Sequence, residues 1–189
     1  VVYASSSSVY GHQKEMPIHE SAERNPINPY GQTKLDVEHL FEKYTELNTK
    51  IIGLRYFNIF GKGQTLEYAG VITKFLDRIK QNKPPIIFGD GSQIRDFIFV
   101  EDVVKANLLA MTSNVSNLLV NIGTGKAISI LELASMIIKI SDMKSKPIFK
   151  EELEGNIKKS QADISLANNS LIWKPKKELR NWLEEILKK

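Results

Sequence analysis

Apolar residues open the chain, and residues 1–4 predict a short buried strand. Polar and proline-rich positions from 11 to 29 predict a loop. From 30 to 47, apolar residues recur at helical spacing: Leu35, Val37, Leu40, Phe41, Tyr44 and Leu47. That spacing predicts an amphipathic helix. Residues 51–56 are β-branched and apolar and predict the next strand. Residues 71–80 predict a helix, closed by the Pro84-Pro85 break. Residues 86–88 predict a strand before a Gly89-Asp90-Gly91 turn.

Further along, residues 100–111 predict a helix with Glu101 and Asp102 in its first turn, where carboxylates suit the positive helix end. Residues 118–122 predict a strand, turned by Gly123-Thr124-Gly125. Residues 129–140 predict a helix that opens with a capping box from Ser129 to Glu132. A strand at 147–149 and short helices at 164–171 and 177–187 complete the pattern. Strands alternating with helices predict an α/β chain with mainly parallel pairing. Residues 1–60 are expected to finish a parallel sheet, and the remainder to form a smaller, mixed lobe. The chain starts on Val rather than Met and runs at once into a strand. The expectation is a C-terminal portion of a longer protein.

Composition narrows the class. The chain has 189 residues, 42% hydrophobic and 25% charged, which describes an ordinary globular protein able to bury a core. The net charge of +4 is mostly lysine, densest near the C-terminus. No aromatic residues interleave with it, so a solvated surface is expected rather than nucleic-acid binding. The absence of cysteine excludes disulfides and thiolate metal sites and fits a reducing cytoplasm. His12, His19 and His39 lack metal-ligand spacing and read as surface or helix histidines. No apolar run reaches the roughly 20 residues of a membrane span, and no signal-peptide pattern is visible at the start.

Two Tyr-x-x-x-Lys pairs occur, Tyr10 with Lys14 and Tyr30 with Lys34. Tyr10 precedes Gly11 in the predicted loop, where this spacing fixes no geometry. Tyr30 opens the predicted helix, where residues four apart share a face. An ammonium beside the phenol favours the phenolate, which could take a proton from an alcohol. A plain helix-surface pair remains the other reading. Ser5-Ser6-Ser7-Ser8 follows the first strand. It reads either as a polar pocket at the carboxyl edge of a sheet or as a serine-rich turn.

With these elements, three later runs carry a resemblance: Leu54-Arg55-Tyr56-Phe57-Asn58-Ile59-Phe60-Gly61, the stretch from Ile87 to Asp102 containing Arg95-Asp96-Phe97, and Asn121-Ile122-Gly123-Thr124-Gly125. Ser160-Gln161-Ala162-Asp163 follows in the same order. Together they resemble the extended short-chain dehydrogenase/reductases, in the nucleotide-sugar epimerase/dehydratase family. The resemblance implies a Rossmann-like NAD domain and a smaller substrate lobe. Residues 1–60 would belong to the first and 61–189 mainly to the second, with 86–125 returning to the first. It implies NAD as cofactor, a UDP-sugar as substrate, and a homodimer formed through the helix at 30–47. It further implies that the Gly-rich phosphate loop of the family lies outside this sequence.

By the same resemblance Tyr30 is the acid/base, Lys34 binds the nicotinamide ribose, and Ser6 bonds the reacting hydroxyl, with Ser7 and Ser8 lining the pocket. Tyr56 and Phe57 lie by the nicotinamide, Asn58 and Arg95 hold the diphosphate, and Val71 lines the nucleotide site. Family dehydratases carry an acidic residue where this chain has Ser7-Ser8, so 4-epimerisation is expected, with a dehydratase or reductase as the alternative. A truncated, non-catalytic binding module is a third reading. Ser160 stands where a bulky aromatic narrows the pocket of some relatives, which points to UDP-N-acetylhexosamines as well as, or instead of, UDP-glucose and UDP-galactose. Leu153 and Asn156 replace an arginine and an aspartate of the family pattern, and Lys150, Lys158 or Lys159 could substitute for the lost cation.

Overall fold

The computed structural model describes residues 1–44, 49–67 and 70–188; Leu47, at the end of the first predicted helix, lies outside the described residues. In chain order the elements are β1 (Val2–Ser6), a 3-10 turn (Ser7–Tyr10), α1 (Pro29–Glu42), β2 (Ile52–Tyr56), β3 (Asn58–Phe60), α2 (Val71–Lys80), β4 (Ile86–Phe88) and β5 (Ile94–Phe99). There follow α3 (Val100–Thr112), β6 (Leu118–Ile122), β7 (Ala127–Ser129), α4 (Ile130–Ile140), β8 (Ile148–Lys150), β9 (Lys159–Ser160), α5 (Ser165–Leu171) and α6 (Leu179–Leu187).

A parallel sheet runs in the order β1-β2-β6. Side chains alternate across a strand, so its two faces differ. Ile52, Leu54, Val120 and Ile122 pack with Val103, Ala106 and Ala110 of α3 and with Trp173. On the other face Ser5, Arg55 and Asn121 stand in register, one from each strand, and all are buried. The expected burial of residues 1–4 is corrected here: Val1 and Ala4 are exposed, while Ser5 and Ser6 are buried. Among the described residues β1 pairs only with β2, so its apolar start has one neighbour.

β5 organises a second sheet, parallel to β3 and β9 and antiparallel to β7, while β4 pairs with β8. Phe60, Phe75, Ile87, Leu133, Ile137 and Trp182 form the core beneath it, with the rings of Phe60 and Trp182 edge-on at 5.1 Å. The capping box of α4 is present: the Glu132 amide donates to Ser129 Oγ at 3.0 Å, and the Ser129 amide to Glu132 Oε2 at 2.7 Å. Asp102 stands in the first turn of α3, as expected, and has a further role. Its Oδ2 accepts the amides of Lys176 and Lys177, both at 3.0 Å, and so ties α3 to the C-terminal segment.

Candidate active site

Asn28 caps α1, its Oδ1 accepting the Gly31 amide at 2.8 Å, and Pro29 occupies the first turn, where its missing N–H costs nothing. The cap places Tyr30 at the exposed start of the helix. Gly31 allows a close approach: a Cβ there would lie 2.6 Å from the Ser8 carbonyl oxygen. The helix therefore sits against the 3-10 turn that follows β1. One turn after Tyr30, Lys34 Nζ lies 5.8 Å from the Tyr30 ring centroid and donates to the Ala4 carbonyl at 3.0 Å. The two residues share a face, as their spacing predicts.

Ser6 ends β1. Its Oγ donates to Ser8 Oγ and accepts the Ser8 amide, both at 3.2 Å. Ser6, Tyr30, Tyr56, Phe57, Asn58 and Val71 share the wall of a cavity of about 280 Å³. Ser7 and Ser8 are not among its lining residues, because the chain leaves the extended conformation at Ser7. The serine run is thus a strand end and a tight turn together. Burial raises the Tyr56 phenol above its ordinary range, although its hydroxyl donates to Asn107 Oδ1 at 2.9 Å.

A second cavity, of about 550 Å³, shares Asn58 and Val71 with the first. Arg95 lies on its wall, held by donations from Nη1 to the Ile94 carbonyl (2.8 Å) and from Nη2 to Asn156 Oδ1 (2.6 Å). Asn58 Nδ2 donates to the Asp96 carbonyl at 3.2 Å. Leu153 also lines this cavity, whereas Lys150, Lys158 and Lys159 do not. Its further cations are Lys74 and Arg78, which sequence reasoning missed; both sit on α2, one turn apart, and that spacing was the available signal. Ser160 is buried on β9, in register with Arg95, and lines neither cavity.

Tyr10 also proves different from an idle loop tyrosine. It is fully buried, accepts from Arg55 Nη1 at 2.8 Å and donates to Asn121 Oδ1 at 2.7 Å. Burial pushes its phenol up to about 12, so it is a neutral donor in the core rather than a base.

Both glycine turns spend backbone amides on carboxylates of the chain itself. The amides of Thr124 and Gly125 donate to the buried Asp96 carboxylate at 2.8 and 2.9 Å, with the Ala162 amide at 3.1 Å. That turn cradles an internal anion. In the other, the Ser92 amide is taken by Asp90 Oδ1 at 2.8 Å. What the first cavity offers is a phenol, a hydroxyl and an aromatic wall; the Lys34 ammonium stands beside the Tyr30 ring but does not line it.

Residues 1–123 match the model of the NAD dependent epimerase/dehydratase family. A Methanocaldococcus jannaschii protein, provisionally named a UDP-glucose 4-epimerase, is 39% identical over 99% of this chain and 61% of its own length. The Thermotoga maritima UDP-glucose 4-epimerase, solved with UDP-glucose, superposes with a TM-score of 0.94 at 34% identity, covering 99% of this chain and 62% of that one. The UDP-N-acetylglucosamine 4-epimerase of Methanobrevibacter ruminantium M1, solved with UDP-N-acetylmuramic acid, gives 0.91 at 34% identity, covering 99% and 61%. The chain thus spans about three-fifths of the length of the relatives it matches.

Proposed function

The chain belongs to the NAD-dependent epimerase/dehydratase family, and from that premise we propose that it carries the acid/base centre and nucleotide-sugar pocket of a UDP-sugar 4-epimerase. One observation supports this most: the cavity lined by Ser6 and Tyr30 shares Asn58 and Val71 with the cavity lined by Arg95. A sugar in the first and a nucleoside diphosphate in the second would form one extended ligand. Arg95 would take the diphosphate, since a guanidinium fork matches phosphate oxygens. Val71 and Asn58 would line the passage between the two.

Tyr30 Oη would remove the proton of the sugar 4-hydroxyl and return it, with Ser6 Oγ bonded to the same oxygen. Lys34 would hold a ribose hydroxyl and keep a positive charge beside the phenol. Tyr56 and Phe57 would wall the nicotinamide. When bound, NAD would supply the two-electron acceptor that takes hydride from the sugar and gives it back. Among the described residues lining the Ser6–Tyr30 cavity none is a carboxylate, which favours epimerisation over loss of water.

The substrate would be UDP-GlcNAc/UDP-GalNAc or UDP-glucose/UDP-galactose; Ser160, buried on β9, lines neither cavity and does not choose between them. We place residues 1–60 in the dinucleotide-binding domain and 61–189 mainly in the substrate lobe, with 86–125 returning to the former. The full-length protein would be a cytoplasmic homodimer, meeting through Leu40 and Tyr44, which are exposed on or just beyond α1. Incubating the full-length protein with UDP-GlcNAc and NAD should yield UDP-GalNAc. No product with UDP still tightly bound would leave a binding module. A dehydrated 4-keto sugar would establish the dehydratase.

A further inference from the structure

Behind the acid/base helix lies a buried polar network that touches neither cavity. Among the described residues α1 is fastened to β1 by the stacked rings of Tyr3 and Phe41, 4.3 Å apart, and by two side-chain hydrogen bonds. Lys34 Nζ donates to the Ala4 carbonyl at 3.0 Å, and Ser5 Oγ donates to Glu38 Oε1 at 2.5 Å. Lys34 and Glu38 are one helical turn apart, so consecutive strand residues meet consecutive turns of one helix face.

Glu38 is fully buried and takes a bidentate fork from Arg55: Nε to Oε1 at 2.8 Å and Nη2 to Oε2 at 2.7 Å. Arg24 Nη1 adds a third guanidinium contact, at 3.1 Å, and with Ser5 Oγ makes four donors to this carboxylate. Arg55 is held in turn by the Tyr10 hydroxyl, which bonds Asn121. The helix is thereby referenced to all three strands of the parallel sheet.

Such a pair is a poor stabiliser. Apolar residues of similar volume often replace a buried ion pair without loss, because desolvation offsets the attraction. What a forked pair does supply is direction. The residue after Ser5 is Ser6, and Tyr30 lies two turns before Glu38 on the same helix. We propose that Glu38 and Arg55 are positioning residues that set the separation of Tyr30 and Ser6. They act through Ser5 and α1 and not by touching substrate. The idea rests on the acid/base reading of Tyr30.

The test uses the full-length protein. The paired variant Glu38→Leu/Arg55→Met fills the space without charge. It is expected to keep the melting temperature and the KM for the UDP-sugar within about twofold, while kcat falls roughly 10- to 100-fold, as an ångström-scale misplacement does. A kcat within twofold of wild type in a folded variant overturns the proposal and leaves the epimerase reading standing. Should the paired variant not fold, Ser5→Ala removes one strand contact and leaves the ion pair. It is expected to lower kcat severalfold and to speed hydrogen exchange at amides 31–35 relative to those of α2. Unchanged exchange there overturns the proposal even if the wild-type protein turns over no sugar, an outcome that would by itself refute the epimerase reading.

Discussion

Arg95 and Asn156 meet across the second cavity, Nη2 donating to Oδ1 at 2.6 Å. A second donation fixes Nη1 on the Ile94 carbonyl. The guanidinium is therefore aimed before any ligand arrives, and it keeps further N–H donors for an anion. Asn156 carries no charge. As an amide it orients Arg95 without neutralising it.

Replacing Arg95 by Leu should weaken UDP binding about 10- to 100-fold, the equivalent of roughly 1.5–3 kcal/mol for a charge-assisted hydrogen bond. Calorimetric titration with UDP measures this. Asn156→Leu should cost less, because the cation stays and only its aim is lost. Equal affinities for wild type and Arg95→Leu would remove Arg95 from the nucleotide site.

Tyr30→Phe should lower kcat by about 10²- to 10⁴-fold, the usual contribution of one acid/base group. UDP affinity should be unchanged, since Tyr30 lines the first cavity and not the second. Steady-state kinetics with binding measured in parallel separates the two. A variant that keeps most of its turnover would place the base elsewhere.

Glu38 should shape the acid limb of stability. Burial pushes its carboxyl up, but the bonds and charge of Arg55, with the bonds of Ser5 and Arg24, outweigh burial and hold it below the ordinary range. The unfolded chain then binds the proton more readily than the folded one. Stability from this group is full above the unfolded value of about 4.3 and is lost as pH falls through the lower folded value. Thermal melts from neutral pH downward should show a steeper acid loss for wild type than for Glu38→Gln. Parallel curves would argue against this account.

Asp96→Asn should destabilise without touching the cavities directly. Both carboxylate oxygens receive donors, from Thr124 and Gly125 in the turn and from Ala162. An amide must point an NH₂ at one of these groups, leaving a buried N–H unmet at a cost of roughly 1–3 kcal/mol. Each kcal/mol lowers the melting temperature by about 2–4 °C for a chain of this size. Calorimetry of the folded variant reads the shift.

Much of the frame was legible because it is local. The spacing of Leu35 and its neighbours marks α1, and the β-branched run marks β2. Ser129 with Glu132 marks the start of α4, each near the predicted position. The strand β5 escaped notice because Ile94–Phe99 carries Arg95 and Asp96 in its middle. Charges read as a break until their partners appear, and the donors to Asp96 come from 28 to 66 residues away. Glu38 escaped for the same reason: its counter-ion Arg55 is on a strand and not on the same helix. Among site residues, Tyr30, Ser6, Phe57 and Arg95 fall on cavity walls. Ser7 and Ser8 do not, since a serine run carries no sign of where extended chain becomes a 3-10 turn.

On the proposed reading, the shared wall of Asn58 and Val71 would have a kinetic consequence. A ligand anchored by its nucleotide in one compartment can let go with its sugar in the other and still not leave. The loosened sugar would meet Tyr30 again at the millimolar effective concentration of a short tether. Once oxidised at C4, it could therefore swivel and offer the opposite face of that carbonyl to the returning hydride, while the same phenol gives the proton back to the oxygen. One base would then serve both halves of an inversion, with no second base and no second binding event.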